Sequence, residues 1–309
     1  MNSLSHFKTI ITIVIIILSF LGAFLFFCIA TQQPILLQYL IDAEINENAG
    51  YYGDFIGGVI GTIFSVVSVL LIILTIIYQN TTNCRNATID QFFKMLDCHY
   101  SNINMLEIKT ISRKKEHEGK IKNRRAFVVF KIQLSKILEI IKEINKKNNL
   151  CLSELEIADI SYVIFYYGLD AEWKEFSKDK LEKYRCSNLI IKEFLKKQHE
   201  LRKQYTIGRT NQTSLSAYFR NLYNTIKLID NSNLSHKEKK QYITILRAQL
   251  SNPELYILYF NILSRFGRKW RDSGYITRYE FIKNLPRKYC SGYDPARDFP
   301  MTYEEDELS

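Results

Sequence analysis

The residues of this chain that could do chemistry are few and widely spaced. Its five histidines are His6, His99, His117, His199 and His236. None lies in an H-E-x-x-H pattern or in the H-x-E and cysteine-pair arrangement of the zinc deaminases. Arg113 and His117 come nearest to the Arg-x4–6-His pair of helical nucleases, but they are one residue too close together. The histidines therefore indicate no catalytic site.

The cysteines are equally scattered. The chain has six, Cys28, Cys84, Cys98, Cys151, Cys186 and Cys290, and no two have C-x-x-C spacing. Neither a disulfide framework nor a zinc site is predicted. Walker A, G-x-G-x-x-G and G-x-S-x-G patterns are also missing from the sequence. We expect no cofactor and no metal, and we favour a protein that is not an enzyme.

Six polar residues in the C-terminal third stand among apolar helical residues. Arg220, Tyr223 and Asp230 fall on one predicted helix, Arg247 and Gln249 on the next, and Asn261 on the one after it. A charged side chain in such a setting is usually paired. We expect Arg247 to pair with Asp230 or with Glu254. Such ties would fix the register of the helices, and a partner-binding role is the alternative.

A basic segment precedes these helices. Its cationic residues are Arg113, Lys114, Lys115, Lys120, Lys122, Arg124 and Arg125. We predict a loop with Gly119 at its centre. The loop could contact anionic lipid headgroups or nucleic acid, or it could simply be solvated. The whole chain has a net charge of +10, and Lys8 is the only basic residue before Gln79, so this charge lies in the later part.

Two uncharged apolar segments, Thr9–Ala30 and Phe55–Tyr78, come first in the chain. At 1.5 Å per residue each is long enough to cross a bilayer core of about 30 Å. The first is too long for the apolar region of a signal peptide. We therefore predict a multi-pass membrane protein with helices at about 9–30 and 55–78 and an outer loop at 31–54.

The charges around these segments predict the topology. The loop at 31–54 carries only acidic charges, whereas Lys8, Arg85 and Lys94 flank the two segments. By the positive-inside rule both termini lie in the cytoplasm of a bacterial inner-membrane protein.

The second segment carries small residues four positions apart. They are Gly53, Gly57, Gly61 and Ser65. In a helix these positions share a face, and small side chains let two helices approach closely in lipid. The stripe therefore predicts packing, either against the first helix of the same chain or against further copies of the chain.

The remainder of the chain reads as helical. We predict a hairpin at 1–80, a helical stalk at 81–112, a cytoplasmic helical domain at 113–300 and a loose acidic tail at 301–309. Ser153-x-x-Glu156 and Ser235-x-x-Glu238 predict helix starts, Asn252-Pro253 predicts another, and Gly267 a stop. No strand is expected after residue 80. The predicted fold class is all-α.

Four stretches of the sequence resemble one known family. They are GDFIGGVIGTIFSVVSVLLIILTIIYQ at Gly53–Gln79, FFKMLDCHYSNI at Phe92–Ile103, NRRAF at Asn123–Phe127, and LSAYFRNLYNTIKLID at Leu215–Asp230 continued by YITILRAQLSNPELYILYFNILS at Tyr242–Ser264. The chain is similar over about residues 50–285 to the phage abortive infection proteins of bacteria, the AbiC-like family.

This resemblance implies antiphage defence in which the infected cell stops growing or dies before the phage matures. Members of the family often have a Gly-His pair shortly before the Tyr-Phe-Arg segment, where this chain has Arg209-Thr210-Asn211-Gln212. That departure weakens a shared catalytic role and leaves a structural or partner-binding role intact.

Two functions follow as hypotheses. The first is a membrane effector that perturbs the inner membrane or oligomerises through its hairpin. The second is a membrane-tethered nucleic-acid-binding protein or nuclease. Expected partners are membrane lipid, further copies of the chain, and a phage component or a sensor encoded in the same operon, with nucleic acid as the partner of the second function.

Overall fold

The structure is a computed structural model, and it describes residues 2–32, 53–54, 56–109, 120–170, 173–201 and 207–307. The chain divides into two compact units, Met1–Ala87 and Thr88–Ser309. The predicted outer loop falls almost wholly outside the described residues, and so do Arg113, Lys114 and Lys115 of the basic segment. Each unit has its own apolar core.

The first unit consists mainly of long helices. Helix α1 is Asn2–Gln32, a π-helical turn occupies Ile56–Ile60, and helix α2 is Gly61–Asn104. Both predicted spans are therefore helical. The predicted continuation of the second span as one unbroken helix is also confirmed, and the division between the units falls within α2.

Helix α1 and the first part of α2 pack antiparallel. Lys8 Nζ lies 3.3 Å from Thr81 Oγ1 at one end of the pair. At the other end, a Cβ on Gly22 would lie 3.4 Å from side-chain atoms of both Ile63 and Phe64. The buried residues between these ends are Ile11, Ile15 and Val67. The two helices thus form a hairpin with a narrow apolar seam.

Most large apolar side chains of this hairpin point away from the seam. Phe20 is 73% exposed, Phe24 is 63% exposed and Ile72 is 60% exposed. The segments His6–Phe27 and Gly57–Asn104 are long and apolar enough to cross a membrane. Water makes apolar exposure of this extent unfavourable, whereas the hydrocarbon core of a bilayer does not.

The hydroxyl groups of this part of α2 are satisfied within the helix. Ser65, Ser68 and Thr75 each donate a hydrogen bond of 2.8 Å to the backbone carbonyl four residues earlier. An unpaired hydroxyl would be costly to place in an apolar medium. The outer surface of this apolar part of α2 therefore presents few polar groups that lack a hydrogen bond.

The second unit contains one short antiparallel ribbon. Strands β1 (Glu107–Lys109) and β2 (Lys120–Lys122) pair with Ile108 opposite Ile121. The expectation of no strand after residue 80 is therefore wrong, whereas the predicted loop centre at Gly119 lies outside the described residues. Strands of three residues are too short to show apolar alternation, and the pairing brings Lys120 within 2.7 Å of Glu107.

The remainder of the second unit is helical, so the all-α fold class is confirmed. The longer helices are α3 (Arg125–Lys147), α4 (Glu154–Tyr167), α5 (Lys174–Leu181), α6 (Ser187–Leu201), α7 (Gln212–Asp230), α8 (His236–Arg247) and α9 (Asn252–Leu263). Shorter elements follow: a 3-10 turn (Arg265–Gly267), α10 (Arg268–Asp272), α11 (Tyr275–Arg278), a 3-10 turn (Arg287–Tyr289), α12 (Pro295–Asp298) and α13 (Glu304–Glu307).

Helix α9 is the centre of this unit. Its sequence NPELYILYFNIL is apolar on every side, and each residue from Glu254 to Leu263 is buried. A helix without a polar face must be covered all round. Helices α3 and α4 pack on it and on each other. Helix α3 does so through its predicted apolar face, which includes Phe127, Phe130 and Leu134.

Ser-x-x-Glu pairs start several of these helices. The predicted capping boxes at Ser153 and Ser235 are confirmed, each with its serine and glutamate bonded to the other's backbone N–H. The residue that caps the N-terminus of α9 is Ser251. Asn252, which the sequence predicts as the cap, is the first residue of the helix. Ser251 donates from its backbone N–H and its hydroxyl to the buried Glu254 carboxylate.

The acidic tail packs on the second unit instead of being loose. Tyr303 is fully buried, and its hydroxyl donates to the Pro295 carbonyl at 2.8 Å. Glu304 accepts a 2.7 Å hydrogen bond from Asn284, and Glu305 lies 3.5 Å from Arg287. The residues that receive the tail, such as Asn284 and Arg287, lie in an earlier segment, so the composition of the tail alone did not reveal them.

His99 of α2 is a buried titratable group in the second unit. Neither ring nitrogen has a hydrogen-bond partner among the described residues, and the ring lies 5.0 Å from that of Tyr218. Burial lowers the pKa of His99 to about 4, with a smaller effect from the charge of Arg124. The imidazole is therefore neutral at physiological pH.

The three serine caps should differ in their contribution to stability. Ser153→Ala and Ser235→Ala remove caps whose glutamate partners are only partly buried, and each should lower the free energy of unfolding by about 1 kcal/mol. Ser251→Ala should lower it by about 2 kcal/mol or more, because the buried Glu254 carboxylate loses a donor. Denaturant unfolding of the full chain in detergent measures all three. Equal losses would show that the burial of Glu254 adds nothing.

His99 should make stability depend on pH in the mildly acidic range. Between pH 6.5 and 4 the unfolded chain binds a proton at this residue and the folded chain does not. The free energy of unfolding should therefore fall by about 3 kcal/mol as the pH drops through this window. The variants His99→Phe and His99→Leu should lose this slope and keep the shallower carboxylate titration. An unchanged slope in both variants would assign the dependence to other groups.

Candidate functional site

An open groove of about 920 Å³ lies on the second unit. One wall is a face of α7, and the other is the turn and short helix that follow α9. Tyr166 at the end of α4 and Asn261 of α9 line it between these walls. Its volume is that of pockets that hold ligands of drug or cofactor size. The groove is therefore the candidate functional site of this unit.

Helical spacing gives α7 one face for the core and one for the groove. Ser216, Arg220, Tyr223 and Lys227 follow one another at three or four residues and line the groove. The opposite face is buried, with Leu215, Leu222, Ile226 and Ile229. Amphipathic patterning of α7 thus determines which of its polar residues reach the groove.

The start of α7 is bonded to the end of α4. The Asn211 side chain donates to the Phe165 carbonyl at 2.8 Å, and its backbone N–H donates to the Tyr166 carbonyl at 2.9 Å. These bonds place Tyr166 beside the first turn of the groove face.

The opposite wall begins where α9 ends. The helix stops at Leu263, earlier than the predicted stop at Gly267, because Ser264 is extended and its hydroxyl donates to the Asn261 carbonyl at 2.7 Å. The chain then turns back so closely that a Cβ on Gly267 would lie 2.3 Å from the Asn261 carbonyl oxygen. Only glycine permits that approach.

An ion pair holds this turn in place. Arg265 Nη2 lies 2.6 Å from Asp159 Oδ2, and the Arg265 backbone N–H donates to Oδ1 at 2.7 Å. Tyr184 donates to the same carboxylate at 2.7 Å. Burial alone would raise the pKa of Asp159, but the hydrogen bonds from Arg265 and Tyr184 outweigh it and lower the pKa to about 2. The carboxylate stays charged and fixes the residue before Phe266.

Aromatic rings from both walls meet in the groove. The ring centroids of Tyr166 and Phe266 are 4.9 Å apart, and those of Tyr223 and Trp270 are 5.3 Å apart. Tyr166, Phe266 and Tyr223 are only half-buried, so part of each ring remains accessible. The groove thus offers planar apolar surfaces as well as polar groups.

The charged groups of the groove are mainly cationic. Arg220, Lys227 and Lys269 are exposed, and none forms an ion pair with a carboxylate of the described residues. Asp272 is the one acidic residue in the described lining, and it pairs with Arg268 at 3.5 Å, outside the groove. The described lining therefore carries three cationic side chains and one carboxylate, which is an excess of positive charge.

Tyr166 contributes a neutral phenol to this surface. Its burial, together with the neighbouring Tyr167, raises the pKa of Tyr166 to about 12, although Arg220 and a hydrogen bond with Ser216 partly oppose the rise. The hydroxyl therefore remains a hydrogen-bond donor at physiological pH.

The groove brings together three of the six polar residues singled out in the sequence, Arg220, Tyr223 and Asn261. Lys227 was missed, although it lies seven residues after Arg220 and so on the same helix face. Tyr166 and Lys269 were missed because they come from other elements, and no local pattern connects them with α7.

The other three polar residues lie elsewhere, and the predicted pairing of Arg247 is wrong. Arg247 Nη1 donates to the Glu280 backbone carbonyl at 2.9 Å. Asp230 pairs with Arg278 Nη1 at 2.9 Å. Both are structural ties to the segment after α10, which the sequence pattern did not place beside α7 and α8.

Glu254 and Gln249 belong to a second polar cluster near the start of α9. Arg124 Nε lies 3.3 Å from Glu254, and Arg124 also donates to the Gln249 carbonyl at 2.9 Å. Tyr218 donates to Glu254 at 3.1 Å, and the Gln249 side chain accepts from Tyr100. These contacts connect α2, α7 and α9 with the residues just before α3 and just after α8, and Glu254 is fully buried.

The described part of the basic segment is largely engaged within the chain. Lys120 and Lys122 lie 2.7 and 3.7 Å from Glu107, and Arg124 pairs with Glu254. Arg125 is the first residue of α3 and is exposed.

Gly53 and Gly57 of the small-residue stripe lie outside the described seam of the hairpin, and Ser65 is exposed. A Cβ on Gly53, Gly57 or Gly58 would meet no atom within 4 Å. Gly57 belongs to the π-helical turn, and Gly61 and Ser65 begin α2. The seam uses Gly22 of α1 instead.

The groove offers cationic, aromatic and amide side chains. Its described lining contains neither histidine nor cysteine. The described residues also contain no group of three or more His, Cys, Asp or Glu side chains that could hold a metal ion.

The chain was compared with protein families, curated proteins and solved structures. Residues 210–289 match the family described as "putative phage abortive infection protein". No curated protein and no solved structure matches the chain. The matched segment contains α7, α8, α9 and α10, and hence both walls of the groove. The resemblance of this chain to the phage abortive infection family is thus confirmed over residues 210–289.

Proposed function

We propose that this chain is an antiphage defence effector that acts by abortive infection at the bacterial inner membrane. The match over residues 210–289 supports the defence role. The exposed apolar surface of the α1–α2 hairpin supports the membrane location. In this proposal the protein perturbs the membrane by self-association of the hairpin.

The orientation in the membrane is part of the same proposal. The segment at 31–54 carries only acidic charges, whereas basic residues follow the second apolar segment. The positive-inside rule then puts both termini and the helical second unit in the cytoplasm. That placement would bring the second unit to the side where phage components are made.

The open side of α2 supports self-association. The two helices of one chain pack through Gly22, Ile63 and Phe64, whereas a Cβ on Gly57, in the turn before α2, would meet no atom within 4 Å. Small residues at a helix surface in lipid allow the helix of another subunit to approach closely. Further copies of the chain are therefore the proposed occupants of this face.

The nucleic-acid alternative receives less support from the basic segment than the sequence suggested. Lys120, Lys122 and Arg124 already have carboxylate partners in the chain. Ion-paired cations release fewer counterions when they meet a phosphate backbone, and that release drives non-specific binding.

The double variant Gly57→Leu with Gly61→Leu should abolish protection against phage, because two large side chains would keep neighbouring hairpins apart. Cells that express the chain are infected at low and high phage-to-cell ratios, and culture growth is followed with a membrane-potential dye. The wild type should save the culture at the low ratio and lose its potential early at the high ratio.

Ala23→Leu with Thr75→Leu is the matched control, since both positions are exposed on the same hairpin. It also places two leucines on the surface of the hairpin and should keep full protection. Protection by the glycine variant at normal membrane levels, or growth arrest with an unchanged potential, would contradict the proposed membrane action. Loss of protection in the control as well would mean that added bulk anywhere on the hairpin is damaging.

A further inference from the structure

We propose that the groove between α7 and α10 binds a nucleoside phosphate. Three cations without a carboxylate partner among the described residues lie beside accessible aromatic rings and amide groups, and this juxtaposition carries the proposal. The inference does not depend on the proposed membrane action, because it concerns a ligand of the second unit alone.

The three cations of the groove favour a ligand that carries an anionic group. Arg220, Lys227 and Lys269 come from two different elements and yet line one groove. Elsewhere in the second unit, cations near carboxylates form pairs, as Arg265 does with Asp159. The Arg220 side chain makes hydrogen bonds only to Ser216 of its own helix among the described residues, at 3.1 Å to the carbonyl and 3.5 Å to the hydroxyl. Guanidinium and ammonium groups in such a setting suit phosphate oxygens.

The aromatic rings favour a ligand that also carries a planar group. The pairs Tyr166–Phe266 and Tyr223–Trp270 both line the groove, and three of these rings are only half-buried. A nucleobase can stack on such rings whatever its identity. An inorganic anion or an acidic peptide would leave these surfaces unused.

Amide groups of the groove could form hydrogen bonds with the polar edge of that base. Gln212, Asn224 and Asn261 line the groove. Asn261 is 4% exposed, and its side-chain N–H donates to the Tyr162 hydroxyl at 2.9 Å. That bond orients the amide, so its carbonyl oxygen has a defined position as an acceptor. A buried and oriented amide is typical of a site that selects one ligand over its analogues.

The size of the groove agrees with this ligand class. At about 920 Å³ it is far larger than a phosphate ion needs and is within the range of nucleotide-sized ligands. The same chemistry could come from a free nucleotide or from one nucleotide of a single strand. The chemistry shared by both is a phosphate joined to a base, and the test separates the two sources.

Titration calorimetry of the full chain in detergent tests the proposal. The probes are the four ribonucleoside triphosphates, the four nucleosides, inorganic pyrophosphate, a ten-nucleotide single strand of each base and a ten-residue glutamate peptide. Trp270 supplies a second readout. The chain has two tryptophans, so Trp173→Phe leaves the fluorescence of Trp270 alone.

At least one triphosphate should bind at least ten-fold more tightly than both pyrophosphate and the matching nucleoside, and it should change the emission of Trp270. Tighter binding of a single strand than of its mononucleotide would identify the strand as the source. The reverse order would identify the free nucleotide. Either result supports the proposal.

The variant Arg220→Gln with Lys269→Gln should weaken binding at least ten-fold, and Tyr166→Leu should weaken it while leaving pyrophosphate binding unchanged. The control variant Lys146→Gln with Lys237→Gln removes the same charge at exposed sites outside the groove and should bind as the wild type does. Thermal unfolding confirms that each variant is folded.

Several results would overturn the proposal. One is the absence of binding by every triphosphate and every strand at 1 mM. Others are equal affinity for pyrophosphate, preference for the glutamate peptide, and equal losses in the groove and control variants. Each of these can occur while the chain still protects cells against phage, so failure of this inference is distinct from failure of the proposed function.

Discussion

The second unit depends on the complete burial of one helix. Helix α9 has no polar face, so the other helices must surround it, and its unpaired backbone groups must be satisfied inside the protein. At its start, Glu254 accepts from Ser251 and Tyr218 and pairs with Arg124. A buried carboxylate is tolerated there because donors from three other segments surround it.

The end of α9 determines where the groove lies. Ser264 stops the helix, Gly267 allows the chain to fold back on it, and the Asp159–Arg265 pair holds the turn. This turn then carries Phe266, Lys269 and Trp270 to the side of α7 that faces away from the core. The candidate site is thus a consequence of how a buried helix ends, and all of its described lining except Tyr166 lies within the segment that matches the abortive infection family.

The first unit follows a different physical rule. Its helices bury only a narrow seam and expose apolar side chains such as Phe20 and Ile72, while hydroxyl groups bond within α2. That combination is stable in hydrocarbon, where exposed apolar surface has no cost and unpaired polar groups do. The sequence and structure therefore support one unit suited to lipid and one suited to water, with a ligand-sized groove in the second.

The sequence determined the helices, because apolar periodicity and helix caps depend on residues that are only a few positions apart. The apolar spans, the capping boxes at Ser153 and Ser235, and the polar face of α7 with Arg220 and Tyr223 were all predictable. Which distant groups meet was decided only by the tertiary structure. Arg247 reaches a backbone carbonyl instead of Asp230, the acidic tail docks through Tyr303, and Lys269 joins Arg220, because partners far apart in sequence are chosen by the path of the folded backbone.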